Sequence, residues 1–162
     1  MLSDYQPTSN DLFISKLYQA LGILNPYQID IQLIATTCGS KIAYYPGRSF
    51  SYRSKNESFI ILNNQIPPNE QRADFFHELG HIVLHEGNQD RLSPLFIQLQ
   101  EWQANRFQLA AAMPYHLLPE TKNLRIQEYA RVLSELFSVP LDVAYRRIDH
   151  IRSRIPLKVL YA

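Results

Sequence analysis

The sequence predicts an α+β fold, mostly helical, with one small three-stranded sheet packed on a central helix. Three observations carry that prediction. Apolar residues recur at helical spacing towards both ends of the chain; three short segments rich in aromatic and β-branched residues cluster between positions 41 and 63; and the next helical stretch, apolar on most sides, holds the pentad His77-Glu78-Leu79-Gly80-His81.

Taken in order, Ser9 is placed to cap a first helix carrying Leu12, Phe13, Leu17, Ala20 and Leu21. Asn25-Pro26 reads as the cap and first-turn proline of a second helix ending near Gly39. Segments 41–45, 50–53 and 58–63, separated by Pro46-Gly47 and Lys55-Asn56, suit a small antiparallel sheet. Pro67-Pro68-Asn69 then launches a buried helix over about residues 70–86, with Phe75, Phe76, Leu79, Ile82, Val83 and Leu84, closed by Gly87. Ser93-Pro94 starts another, which runs through Glu101 and Asn105 until Met113-Pro114 stops it. Two C-terminal helices follow, broken at Ser138-Val139-Pro140: Ile126, Tyr129, Ala130, Leu133 and Phe137 stripe the first, and Leu141, Ala144, Ile148, Ile151 and Ile155 the second.

Composition narrows the chemistry. At 162 residues the chain fits one domain, and its formal net charge of +1 is too small for wholesale phosphate neutralisation, so nucleic acid is not expected as a partner. Cys38 is the only cysteine, which rules out an intramolecular disulfide, points to a reducing compartment and leaves His and carboxylate to hold any metal. Neither a basic-then-apolar leader nor a run of about 18 apolar residues is present, so the protein is expected to be soluble, cytoplasmic and free of membrane, as a monomer or weak oligomer.

Residues four apart on a helix are separated by about 40° and roughly 6 Å of rise, so His77 and His81 can point at one ion. Glu78 lies about 100° round from His77, which keeps its carboxylate off the metal but within reach of a metal-activated water. Two neutral nitrogen ligands beside a carboxylate base suit a zinc metallopeptidase, and burying those groups in an apolar helix without a partner would be costly. Such a site needs a third protein ligand. Glu101, on the following helix, is placed to supply it, although a solvated helix carboxylate is the plain alternative. Asn105, four residues on, lies on the same face and is a candidate to orient a ligand imidazole. His85 is the rival third ligand, but on a continuous helix it would stand about 12 Å along the axis from His77 and about 80° round, so a place at the rim or behind the ligands suits it better.

Phe76-His77-Glu78-Leu79-Gly80-His81 with Leu84-His85, then Glu101-x-x-Ala104-Asn105-x-Phe107, then Ala111-Ala112-Met113-Pro114, together resemble the ImmA/IrrE family of metallopeptidases. Two departures stand out: Gln103 where the family commonly has a second acid, and Ala111-Ala112 where it commonly has two leucines. The resemblance implies a zincin-like domain over residues 1–162, with 1–123 as catalytic core and 124–162 as a helical pair completing it. It also implies a substrate bound along the edge of the strand before the active-site helix, for which Phe59, Ile60, Ile61, Leu62 and Asn63 are the candidates. Family members act on bacterial transcriptional repressors of phages or mobile elements, so the implied partner is a helix-turn-helix repressor cut at one site, with Zn²⁺ as cofactor and Glu78 carrying the proton from water to the leaving amine.

Weaker signals remain. Tyr115 and His116 are possible oxyanion donors, with packing the favoured role. The C-terminal helices resemble a helix-turn-helix whose Arg146, Arg147, Arg152 and Arg154 offer charge to DNA, although a basic solvated face is favoured. The alternatives to an enzyme are therefore a catalytically silent repressor-binding module and a DNA-binding regulator.

Overall fold

The computed structural model describes residues 4–55, 57–85, 93–120 and 124–155. The elements run α1 (Ser9–Ala20), a 3-10 turn (Pro26–Gln28), α2 (Ile31–Thr37), β1 (Ser40–Tyr45), β2 (Phe50–Arg53), β3 (Ser58–Asn63), α3 (Pro68–Leu84), α4 (Pro94–Ala112), a second 3-10 turn (Tyr115–Leu117), α5 (Ile126–Phe137) and α6 (Leu141–Arg152). This is the mostly helical α+β architecture expected. Among the described residues no helix is long and apolar enough to cross a membrane.

The chain groups into two compact units, Ile29–Gln108 and Met1–Gln28 with Leu109–Ala162. In the first, the sheet order is β1-β3-β2. The expected antiparallel sheet is in fact mixed: β3 pairs antiparallel with β2 but parallel with β1, in the register Ser40 to Ser58 through Tyr45 to Asn63. Turn chemistry between consecutive strands says where the chain reverses, not which neighbour the third strand chooses, and here it inserts between the first two. Ile60 and Leu62 are buried, and α3 packs against β2 and β3 through a helix whose Phe75, Phe76 and Leu79 are fully enclosed.

Helix starts differ from expectation by local hydrogen bonding. The cap of α1 is Thr8 rather than Ser9, because Thr8 Oγ1 accepts from Asp11 N at 3.3 Å while the Asp11 carboxylate accepts from Thr8 N at 2.9 Å, a reciprocal box that Ser9 with Leu12 cannot make. The single second helix expected from Pro26 is instead a 3-10 turn followed by α2, whose cap is Asp30: its Oδ1 takes the N–H groups of Gln32 at 2.8 Å and Leu33 at 3.4 Å. In α3 the pair Pro67-Pro68 supplies cap and first turn, and the helix stops at Leu84, where His85 turns extended. The expected closing residue, Gly87, lies outside the described residues.

In the second unit the core is built from α1, α5 and α6 with the end of α4: Ile14, Tyr18, Ala111, Leu133, Phe137, Val143 and Ile148 are all buried. Tyr18 donates its hydroxyl to the Ala111 carbonyl at 2.9 Å. Arg147, which the sequence offered to DNA, is fully buried and bonded to Asp11 at 2.6 Å, whereas Arg146, Arg152 and Arg154 are exposed. His116 is likewise occupied structurally, with one ring nitrogen 3.1 Å from Ser15 Oγ and the other 3.3 Å from the Ile23 carbonyl, and Tyr115 packs against the Tyr5 ring.

Candidate metal centre

The pentad forms part of α3 because that helix buries one broad apolar face and leaves His77, Glu78 and His81 half-buried beside it. Glu101 arrives on α4. Two contacts hold α4 close: a Cβ added to Gly80 would stand 3.1 Å from Ala104 Cα and 3.3 Å from Phe107 Cβ, and Gln108 donates to the Ala73 carbonyl at 2.8 Å. Glycine at 80 is thus a requirement of close helix approach.

The approach brings the three sequence-derived ligand candidates together. His77 Nε2 and His81 Nε2 are 3.2 Å apart; Glu101 places Oε2 3.3 Å from the first and Oε1 3.3 Å from the second. His77, His81 and Glu101 are the one such donor cluster among the described residues. Nitrogen and oxygen ligands about 2.0–2.1 Å from a tetrahedral zinc stand about 3.3–3.4 Å from one another, so the donor spacing fits such an ion. Protonation fits as well. Burial lowers His81 and Glu101 opposes it, while His77 and His85 push it further down; the outcome is a fall from 6.5 to about 4, a neutral imidazole at pH 7 with a lone pair to give.

Glu78 stands outside the donor cluster. Burial pushes its carboxyl up; the Ser51 hydrogen bond and His77 pull it down, and Glu101 and Asp74 push it up again, so the balance lies above the ordinary carboxylate value. That is the direction a group needs if it is to take and return a proton near neutral pH. Asn105 donates from Nδ2 to the Glu101 carbonyl at 2.8 Å along α4. His85 lies beyond the three-residue cluster, donating from Nε2 to the Gln100 carbonyl at 3.2 Å with its ring 5.5 Å from that of His81.

One sequence-derived assignment fails. Phe59, Ile60, Ile61, Leu62 and Asn63 form β3, the central strand, whose two edges are taken by β1 and β2, so they cannot offer an edge to a peptide. The signal was present: Ser58–Asn63 has no charged residue and reads apolar on both faces, as a central strand does, whereas Phe50–Arg53 ends in arginine, as an edge strand can.

The sequence also hid what β2 does. Ser49 Oγ donates to Asp74 at 2.5 Å, Ser51 Oγ donates to Glu78 Oε2 at 2.8 Å, and Arg53 donates to the Ile82 carbonyl. Every second residue from Ser49, just before the strand, to Arg53 therefore meets every fourth residue of the helix. Two strand residues span about 6.6 Å and four helical residues about 6 Å, so the two periods run in step over this length. Alternating Ser49, Ser51 and Arg53 opposite Asp74 and Glu78 was the available clue.

A family model described as the IrrE N-terminal-like domain of Peptidase_M78 matches residues 32–149. The chain belongs to the M78 peptidase family. As an M78 peptidase it carries α3, Glu101 and β2 inside the matched span. It is 32% identical over 144 residues to the phage-like element PBSX protein XkdA of Bacillus subtilis (strain 168), covering 88% of this chain and 72% of the relative. It is also 28% identical over 138 residues to the uncharacterized protein YqaB of the same organism, covering 85% of this chain and 80% of that protein. Membership of a peptidase family points to peptide-bond hydrolysis as the class of chemistry.

Proposed function

We propose that the protein is a cytoplasmic zinc endopeptidase that cuts a helix-turn-helix repressor of a phage or mobile element at one site. The observation that carries the catalytic half is the convergence of His77, His81 and Glu101 at tetrahedral-edge spacing with Glu78 one residue away and outside the cluster. Two nitrogens and one carboxylate on this motif favour zinc over harder divalent ions. Bound there, the ion supplies polarisation of the scissile carbonyl and activation of water. Glu78 takes a proton from the attacking water and returns it to the leaving amide nitrogen, so one water is consumed and one carboxylic acid and one amine appear. The outer edge of β2 has no strand partner among the described residues, and Ser51 of that strand touches Glu78, so an extended peptide on this edge passes the proton carrier. Support for the repressor comes from the family resemblance and from the relative that is by name a protein of a phage-like element.

The test is co-expression with the product of the neighbouring gene, or with a candidate helix-turn-helix repressor, with mass spectrometry of the products. Wild type is expected to yield two fragments and Glu78→Gln none, with at least about a hundredfold loss of rate at unchanged zinc content. Cleavage at the wild-type rate by Glu78→Gln would overturn the mechanism; equal relief of repression by both, without fragments, would make the protein a binding module.

A further inference from the structure

Among the described residues Ser51 is the hydrogen-bond partner of the Glu78 carboxylate, and it holds Oε2 alone. A glutamate side chain turns about three bonds, and a proton carrier held by one contact has lost most of that freedom while keeping its second oxygen unoccupied. The contact is not an isolated surface pairing. Ser49, buried, donates to Asp74 and accepts the Asn63 N–H at 3.0 Å, which ties the start of β2 to both α3 and β3. Arg53 ties its far end to the Ile82 carbonyl in the last turn of α3. Between these two anchors Ser51 has no choice of partner: its antiparallel register opposite the buried Ile60 turns it inward, while Phe50 and Tyr52 point outward and are exposed.

We infer that Ser51 is a positioning residue for Glu78, set in place by the Ser49–Asp74 and Arg53–Ile82 anchors, and that it fixes which carboxylate oxygen is free to move the proton. The inference rests on Glu78 being the proton carrier. Its own consequence is that β2 serves the chemical step and not only the sheet.

Ser51→Ala should lower kcat on the protein substrate found by that co-expression by about ten- to a hundredfold, the loss of one hydrogen bond to a charged group, with KM within about twofold. Ser51→Thr, which keeps the hydroxyl in a residue that strands accept, should restore most of the rate, and zinc content should not change in either variant. In crystals of the metal-free Ser51→Ala protein the Glu78 carboxylate should leave its wild-type position or divide between rotamers. A wild-type kcat in Ser51→Ala, no rescue by threonine, or a Glu78 carboxylate that superimposes on wild type would each overturn the inference. Should Glu78→Gln remain active, the underlying mechanism falls instead, and the crystal comparison still decides whether Ser51 places the side chain.

Discussion

At the scale of single residues, the candidate metal centre depends on protonation states that burial selects. His81 is held neutral down to about 4, so at neutral pH it competes for a metal without first releasing a proton. Glu101 brings a carboxylate to the cluster from a position that remains 39% exposed. Glu101→Gln keeps the shape and removes the charge, so zinc affinity should fall by more than about a hundredfold, beyond what loss of an outer partner produces. Metal analysis after dialysis against a weak chelator measures this; full retention of zinc would mean that Glu101 is not a ligand. His77 and His81 were legible because one helical turn separates them, a purely local relation. Ser51 was not, because its partner lies 27 positions along the chain on another element.

Between elements, the spacing of α3 and α4 decides whether a carboxylate reaches the imidazole pair. Gly80 faces Ala104 Cα and its carbonyl, backbone atoms that cannot rotate aside, so Gly80→Ala forces the helices apart by a few tenths of an ångström. Two effects compete. Alanine gains about 0.5–1 kcal/mol of helix propensity, and overpacking costs about 1–3 kcal/mol, so a net destabilisation of about 1 kcal/mol is expected, together with weaker zinc binding as Glu101 recedes. Denaturant titration with and without zinc reads both; a stabilised variant with unchanged zinc affinity would show that α4 yields without consequence. The same scale explains the sheet. Each strand announced itself by composition, but whether β3 lies at an edge or in the middle depends on partners that come from elsewhere in the chain.

Across the whole molecule, the longest-range polar link described is that between Asp11 on α1 and Arg147 on α6, 136 positions apart and both fully buried. Burial raises the Asp11 carboxyl, but Arg147 together with hydrogen bonds from Thr8 and Tyr5 outweighs it and brings the carboxyl down from 3.8 to about 2. A depressed carboxyl contributes its stability fully above the unfolded value and loses it as pH falls through the folded one, so this contribution disappears between about pH 4 and pH 2. Asp11→Asn should therefore remove on the order of 2 kcal/mol at neutral pH, more if Arg147 finds no substitute, and flatten the acid limb of the stability curve. Urea melts from pH 7 to pH 2 test it; an unchanged acid limb would mean that the pair contributes nothing net. Among the described residues Arg147 Nε and Nη1 have no hydrogen-bond partner, so Asp11 is the main compensation there for that buried charge.

What the sequence determined by itself was whatever repeats within one element: helical stripes, the four-residue step from His77 to His81, the place of Glu78 between them, and three strand-forming segments. These follow from backbone periodicity, which is written in neighbouring residues and needs no distant partner. Strand order, the edge left free, the bond from Ser51 to Glu78 and the burial of Arg147 on Asp11 were decided only by tertiary structure. Each joins groups that are far apart in the chain, and which of several chemically similar partners meets which is set by how the elements pack.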